Sequence, residues 1–269
     1  MTLLHHRLDG PADGVPLVLG PSLGTSLAVW EPQLPALARH HRVLRYDLPG
    51  HGGSATDVLA DPAPGRTTVA ELAAHVLALA DHHGWGGFRY AGISLGGALG
   101  TQLAVHRPGR VDSLALVCSS ARFGEPDGWR ERAALVRTAG TRALLGATPG
   151  RWFAAPATAT GTGSRLLADL AAADSAGYAA CCDALGAFDL RTELHRVAAP
   201  TLVLAGSRDP ATPPAHAHEL AEGIPGASLV EIEGAAHLAG VERSDAVTAA
   251  LLDHWGPADG RTDEGAVRV

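Results

Sequence analysis

The chain has 269 residues, enough for one large domain or two small ones and for a core that needs no disulfide staples. Its 33 glycines and 18 prolines, spread without a repeat, call for many turns between short elements and argue against a helical bundle. All 21 basic residues are arginine against 28 acids, for a net charge of −7, and there is no lysine and no asparagine. Schiff-base lysine chemistry, a P-loop lysine and N-glycosylation are thereby excluded, and a nucleic-acid partner is disfavoured.

Leu3–Leu8 alternates weakly and is followed by Asp9-Gly10-Pro11 and Asp13-Gly14, which predicts an N-terminal hairpin. Val15–Gly20 is a short apolar run ending in a Gly/Pro/Ser loop, a buried strand. Trp30–Arg39 has helical spacing, and Arg42–Asp47 is the next strand. Thr68 and Glu71 make a capping-box signature that opens a helix through Leu72, Val76, Leu79 and Ala80. Phe88–Gly92 predicts a strand, Leu95–His106 a small-residue helix ended by Pro108, and Val111–Cys118 a further strand. Beyond residue 190 the alternation resumes, with strands at 200–206 and 227–232 and helices at 214–223 and 242–255. Strands alternating with helices at this rhythm imply parallel βαβ units with helices on both sheet faces. Residues 122–190 lack strand-like runs and contain helical stretches broken at Pro149, Pro156 and Gly161-Thr162-Gly163, so they are expected to form a helical cap. The alternating strand-and-helix core is then expected at 1–121 and 191–257, and residues 258–269 lose periodicity as a tail or linker.

The three cysteines are Cys118 and the adjacent Cys181 and Cys182, which make no disulfide framework. With no signal-peptide core and no apolar run approaching membrane length, the expectation is a soluble cytoplasmic protein without membrane contact.

Chemistry concentrates at Gly92-Ile93-Ser94-Leu95-Gly96, a G-x-S-x-G motif between a predicted strand and helix. The turn must be sharp, the flanking residues small, and the serine is lifted to a helix N-terminus. A serine hydroxyl needs a base, and the base an orienting acid. Asp209 lies in the loop leaving strand 200–206, and His237 in the loop leaving strand 227–232. The order Ser94, Asp209, His237 is that of the α/β-hydrolases. Some of these carry the acid one strand earlier, where this chain has Cys118-Ser119-Ser120 and no carboxylate. The oxyanion donors are then the backbone amides of Leu95 and, in the loop Pro21-Ser22-Leu23-Gly24-Thr25, of Leu23. An aspartate nucleophile, as in haloalkane dehalogenases or epoxide hydrolases, is excluded by Ser94. Of the 14 histidines, His5-His6, His40-His41 and His82-His83 are read as exposed pairs at element ends, and His51 as structural.

Over residues 15–255 the chain resembles the 3-oxoadipate enol-lactonases, α/β-hydrolases of aromatic degradation through β-ketoadipate. The narrower match rests on Gly177-Tyr178-Ala179-Ala180-Cys181-Cys182, Asp189-Leu190-Arg191, Asp209-Pro210-Ala211-Thr212-Pro213-Pro214, Ser22-Leu23-Gly24-Thr25 and Arg151-Trp152-Phe153. Pro21, where the family usually has Asn, and Ala239-Gly240, where polar residues are usual, depart from it. The resemblance implies hydrolysis of the enol-lactone by Ser94, His237 and Asp209, with no metal or organic cofactor. The alternatives are another carboxylesterase or ring-cleavage-product hydrolase of this fold, or a hydrolase-fold ligand receptor. Residues 122–151 hold six arginines against three acids, a positive cap for an anionic lactone. Trp129, Arg130 and Trp152 are the candidates to touch it; core packing of the tryptophans and a solvated helix face for the arginine are the alternatives. Arg261–Arg268 resembles the opening of 4-carboxymuconolactone decarboxylase, which implies a fusion remnant or linker; an ordinary terminus is the other reading.

Overall fold

The computed structural model describes residues 2–155 and 161–256. Pro156 and the tail 258–269 lie outside them. A seven-stranded sheet runs β1 (His6–Asp9), β3 (His41–Tyr46), β2 (Val15–Gly20), β4 (Phe88–Ile93), β5 (Val111–Val117), β6 (Thr201–Gly206), β7 (Ser228–Ile232). All neighbours are parallel except β1, which pairs antiparallel with β3. The helices are α1 (Leu34–Leu37), α2 (Val69–His82), α3 (Leu95–His106), α4 (Pro126–Ala139), α5 (Thr148–Trp152), α6 (Gly161–Ala172), α7 (Ser175–Gly186), α8 (Pro214–Gly223), α9 (Ala239–Glu242) and α10 (Ser244–Trp255). This is an α/β-hydrolase architecture, and the central strands β4, β5 and β6 are buried nearly throughout, as a sheet covered on both faces must be.

The predicted N-terminal hairpin does not form. β3 inserts between β1 and β2, with His6 opposite Tyr46 on one side and Val15 opposite His41 on the other. The reason is polarity: β3 carries the fully buried Val43 and Leu44, whereas β1 carries His6, Arg7 and Asp9 and is suited to the edge. Gly10 makes the crossing, at φ +82°, where a Cβ would stand 2.1 Å from the His41 carbonyl oxygen. The helix expected over 30–39 shrinks to a 3₁₀ turn at Leu27–Trp30 and the single turn α1, because Pro32 and Pro35 remove amide donors. The helix expected from residue 242 is split at Arg243 into α9 and α10. Pro149 opens α5 rather than breaking a helix, the first turn being where a missing N–H costs nothing.

Helices α4–α7 lie between β5 and β6 in the chain and contribute no strand to the sheet among the described residues. α4 packs along α7, and Gly177 of α7 lies against Gly50, where a Cβ would meet backbone at 2.7 Å. Asp174 fixes the start of α7, accepting from the Ala176 and Gly177 amides. The segment is thereby tied down over the C-terminal ends of the strands, where β-to-α loops gather the functional groups of such sheets.

Candidate active site

Ser94 stands between β4 and α3 with φ 55° and ψ −115°, a conformation costing a residue with a Cβ on the order of 1–3 kcal/mol. Its surroundings hold it there. A Cβ on Gly92 would lie 2.2 Å from the Gly96 carbonyl carbon, and one on Gly96 would lie 2.4 Å from the Gly20 oxygen. Both motif glycines are therefore required by backbone approach. The Ser94 amide donates to Val117 O at 3.0 Å, Gly96 N to Pro21 O at 3.1 Å, and Ser119 Oγ to Ser94 O at 2.9 Å. Beneath the turn, buried Tyr46 and Tyr90 share a hydrogen bond of 3.0 Å, and Tyr90 donates to Gly96 O at 2.8 Å. Burial pushes both phenols up, so they remain protonated.

Asp209 and His237 meet across two loops. His237 Nδ1 donates to Asp209 Oδ2 at 2.8 Å, and the Thr212 hydroxyl donates to the same oxygen at 2.7 Å. The other oxygen, Oδ1, accepts from the Ala211 and Thr212 amides at 2.7 and 3.1 Å. Burial alone would raise the Asp209 carboxyl, but His237 and the Thr212 donors outweigh it and hold it below the usual carboxylate range. An ionised, acceptor-only carboxylate assigns the Nδ1–H tautomer and leaves His237 Nε2 as the basic nitrogen. Ser94 and His237 line one cavity. Their direct hydrogen bond is not made among the described residues, and such contacts commonly tighten only with substrate. Cys118, one strand earlier, holds φ +45° with its thiol beside Asp209; burial pushes the thiol up and keeps it neutral.

The Leu23 and Leu95 amides make no hydrogen bond among the described residues; Leu23 lines the cavity with Ser94, and Leu95 follows Ser94 as the first residue of α3. His51 fixes the loop that carries one of them. Its Nδ1 donates to Pro49 O at 2.9 Å and its Nε2 accepts the Gly24 amide at 3.1 Å. Burial lowers its pKa, so the ring is neutral and both nitrogens are committed to structure.

The cavity is lined by Ser22, Leu23, Ser94, Trp152, Thr212 and His237, and opens past Trp129, Arg132 and Arg151 into a wider vestibule. Trp129 and Trp152 thus stand where the sequence put them, but Arg130 does not. Its guanidinium is ion-paired with Asp127 on the exposed side of α4. Arg132, three residues from Trp129, faces the cavity instead, stacked at 5.7 Å over Trp129 and 5.6 Å over Tyr178 and donating to the Tyr178 hydroxyl. Arg151 lies beside it; burial and the Arg132 charge both lower its pKa. Neither has a carboxylate partner among the described residues, whereas Arg122 pairs with Glu125 and Arg137 with Asp183. The i, i+3 spacing of Trp129 and Arg132 was the signal that places Arg132 beside Trp129 at the cavity. The histidine pairs also need correction, since His41 is buried and hydrogen-bonded to Leu37 O. No cluster of three or more His, Cys, Asp or Glu able to hold a metal exists among the described residues.

The model of the alpha/beta hydrolase fold family matches residues 15–244. The chain belongs to the α/β-hydrolase family. It is 35% identical over 251 residues to 3-oxoadipate enol-lactonase 2 of Acinetobacter baylyi, covering 92% of this chain and 91% of that protein. It superposes on the enol-lactonase from Burkholderia xenovorans LB400 with a TM-score of 0.87 at 39% identity, covering 94% and 96% of the two chains. It is also 34% identical over 259 residues to a putative carbamate hydrolase of Variovorax paradoxus, over 93% of this chain and 95% of that one. This α/β-hydrolase is an enzyme of the hydrolase class. No helix among the described residues is long and apolar enough to cross a membrane.

Proposed function

We propose that this hydrolase opens 3-oxoadipate enol-lactone to 3-oxoadipate, within aromatic catabolism. The observation that carries the choice of substrate is the pair Arg132 and Arg151, two arginines without carboxylate partners at the mouth of the Ser94 cavity. They suit a substrate that bears a carboxylate besides its scissile carbonyl. In this reading residues 1–121 and 191–257 are the hydrolytic core and 122–190 the cap that supplies those cations. The three cysteines, free and buried, fit a reducing cytoplasm.

Ser94 Oγ, losing its proton to His237 Nε2, attacks the ring carbonyl. The Leu23 and Leu95 amides take the oxyanion, and the N-terminus of α3 adds its dipole. Collapse expels an enol oxygen, a better leaving group than an alkoxide, and His237 returns the proton. Because the substrate is cyclic, the leaving group stays tethered in the acyl-enzyme. Water, deprotonated by His237, then releases the whole product. Asp209 keeps the imidazole in its working tautomer and stabilises the imidazolium.

A second reading, carbamate hydrolysis, draws on the 34% identity to the Variovorax paradoxus protein. A carbamate ester is neutral and leaves Arg132 and Arg151 without a counter-charge, and a carbamate ion has no carboxylate besides its scissile carbon, so the lactone is favoured. The test is loss of enol-lactone absorbance with the purified protein, compared with carbamate turnover. Ser94→Ala should lower lactonase turnover by several orders of magnitude, His237→Ala about as much and Asp209→Asn somewhat less, because such groups act as a unit. Lactonase activity above a few per cent in Ser94→Ala, or faster turnover of carbamate than of lactone, would overturn the proposal.

A further inference from the structure

Asp209 is served by more donors than an orienting acid needs. Oδ1 takes two amides, and Oδ2 takes both the His237 Nδ1–H and the Thr212 hydroxyl, at 2.8 and 2.7 Å. Thr212 Oγ1 also lies 3.3 Å from His237 Nδ1. The hydroxyl proton is directed at Oδ2, so this third contact leaves Oγ1 as a secondary acceptor for the imidazole N–H. Thr212 is 3% exposed and lies on the cavity wall with Ser94 and His237. We propose that Thr212 is a positioning residue for the hydrolytic step, whose hydroxyl shares the Asp209 oxygen that holds His237 and so limits how strongly that carboxylate retains the imidazolium. The proposal rests on the triad reading above.

The physical logic is competition for one lone-pair-bearing atom. A hydroxyl donating to Oδ2 withdraws part of the negative charge that would otherwise bind the imidazole proton. It also stops the carboxylate rotating about its Cβ–Cγ bond, since both oxygens are then tethered to residues 211 and 212. A base held too firmly in its protonated form gives its proton back poorly to the leaving oxygen, so the Thr212 hydroxyl matters to both halves of the reaction. Other groups act on the same pair from each surrounding element. Cys118 from the end of β5 is a neutral thiol beside Asp209, Arg151 from α5 and Arg132 from α4 are cations at the cavity, and Glu242 of α9 accepts the Ala236 amide just before His237. Of these only the Cys118 thiol interacts directly with the Asp209 side chain, and its hydrogen bond runs to Ala236 O at 3.7 Å.

The test is the pH dependence of kcat/KM for an aryl acetate in the full chain, for wild type, Thr212→Val, Thr212→Ser and Ser94→Ala. Valine keeps the shape and removes the donor. Without it the carboxylate holds the imidazolium more tightly, so the acid limb of the profile moves to higher pH, by about half a unit to one unit. Activity at neutral pH falls roughly tenfold, and serine restores both limb and rate to within about threefold. A role in loop stability alone would lower the thermal midpoint and leave the limb in place. If Thr212→Val does not fold, Thr212→Ala carries the same expectation. An acid limb that is unmoved or displaced to lower pH, in a chain where Ser94→Ala is inactive, overturns the assignment of Thr212. Activity surviving in Ser94→Ala overturns the triad reading instead.

Discussion

Two positions along α4 separate the arginine that reaches the cavity from the one that does not. Arg130 falls on the face of Asp127 and closes an i, i+3 ion pair in solvent, of a kind contributing little to stability. Arg132 falls on the face of Trp129, with Ala133 and Val136 buried beside it, and its guanidinium carbon lies over two aromatic rings. Arg132→Ala or Arg151→Ala should therefore raise KM for a carboxylate-bearing lactone about 10–100-fold, the range of one lost charge-assisted hydrogen bond. Hydrolysis of a neutral ester should change little, and Arg130→Ala should leave both substrates unaffected. Equal effects of all three substitutions, measured by steady-state kinetics, would mean that no arginine in this group contacts the carboxylate. The grouping of Ser94, Asp209 and His237 was legible because its parts are local signals, a serine between two glycines and two polar residues each leaving a strand. Thr212 and the Tyr46–Tyr90 pair were not legible as supports, because their roles depend on which loops the fold brings together; His51 was read as structural, but its partners Pro49 and Gly24 were not legible.

At the scale of elements, α2 shows both what a pattern of residues predicts and what it omits. Thr68 caps the helix as expected, accepting the Glu71 amide at 3.1 Å, but Glu71 does not reach back; its carboxylate takes the Ala60 amide at 3.0 Å instead. Thr68→Ala should cost about 1 kcal/mol in chemical denaturation. The same helix buries His75, 2% exposed, with neither ring nitrogen hydrogen-bonded among the described residues. Burial lowers its pKa, more than nearby Glu71 raises it. The folded state then binds a proton less readily than the unfolded chain. The stability this contributes is fully present above the ordinary histidine pKa of about 6.5 and declines as pH falls below it, by at most about 1.4 kcal/mol per pH unit. His41, His51 and His254 shift in the same direction, each because burial disfavours the imidazolium. Urea midpoints should thus fall steeply between about pH 6.5 and 5, and His75→Leu should flatten that fall while raising stability at neutral pH. An unchanged pH slope in His75→Leu would show that the ring is protonated within the fold. The strand order was beyond local reading for a related reason. Whether β1 pairs with β2 or β3 is decided by which strand is apolar enough for the sheet interior, a comparison between segments.

For the molecule as a whole, charge is distributed against its own sign. The chain carries a net charge of −7, yet residues 122–151 place six arginines against three acids over the strand ends where Ser94 lies. Three of those arginines are neutralised locally by Asp127, Glu125 and Asp183; of the other three, Arg142 lies outside the cavity lining, and Arg132 and Arg151 stand at its mouth. An acidic protein can in this way repel anions over most of its surface and still draw a carboxylate to one opening, since a concave site with low-dielectric walls concentrates the field of its own charges. The consequence is a salt dependence that differs between substrates. Raising ionic strength from about 0.01 to 1 M shortens the screening length from about 30 to 3 Å. For the anionic lactone kcat/KM should fall several-fold over that range through the association step, whereas for a neutral aryl ester it should hold constant or rise slightly. Arg132→Ala should remove most of the lactone's salt dependence, because the field it contributes is then absent at every ionic strength. A lactone kcat/KM that rises with salt in the wild type would mean that the overall negative charge governs the approach of substrate, and that the two arginines act only after contact.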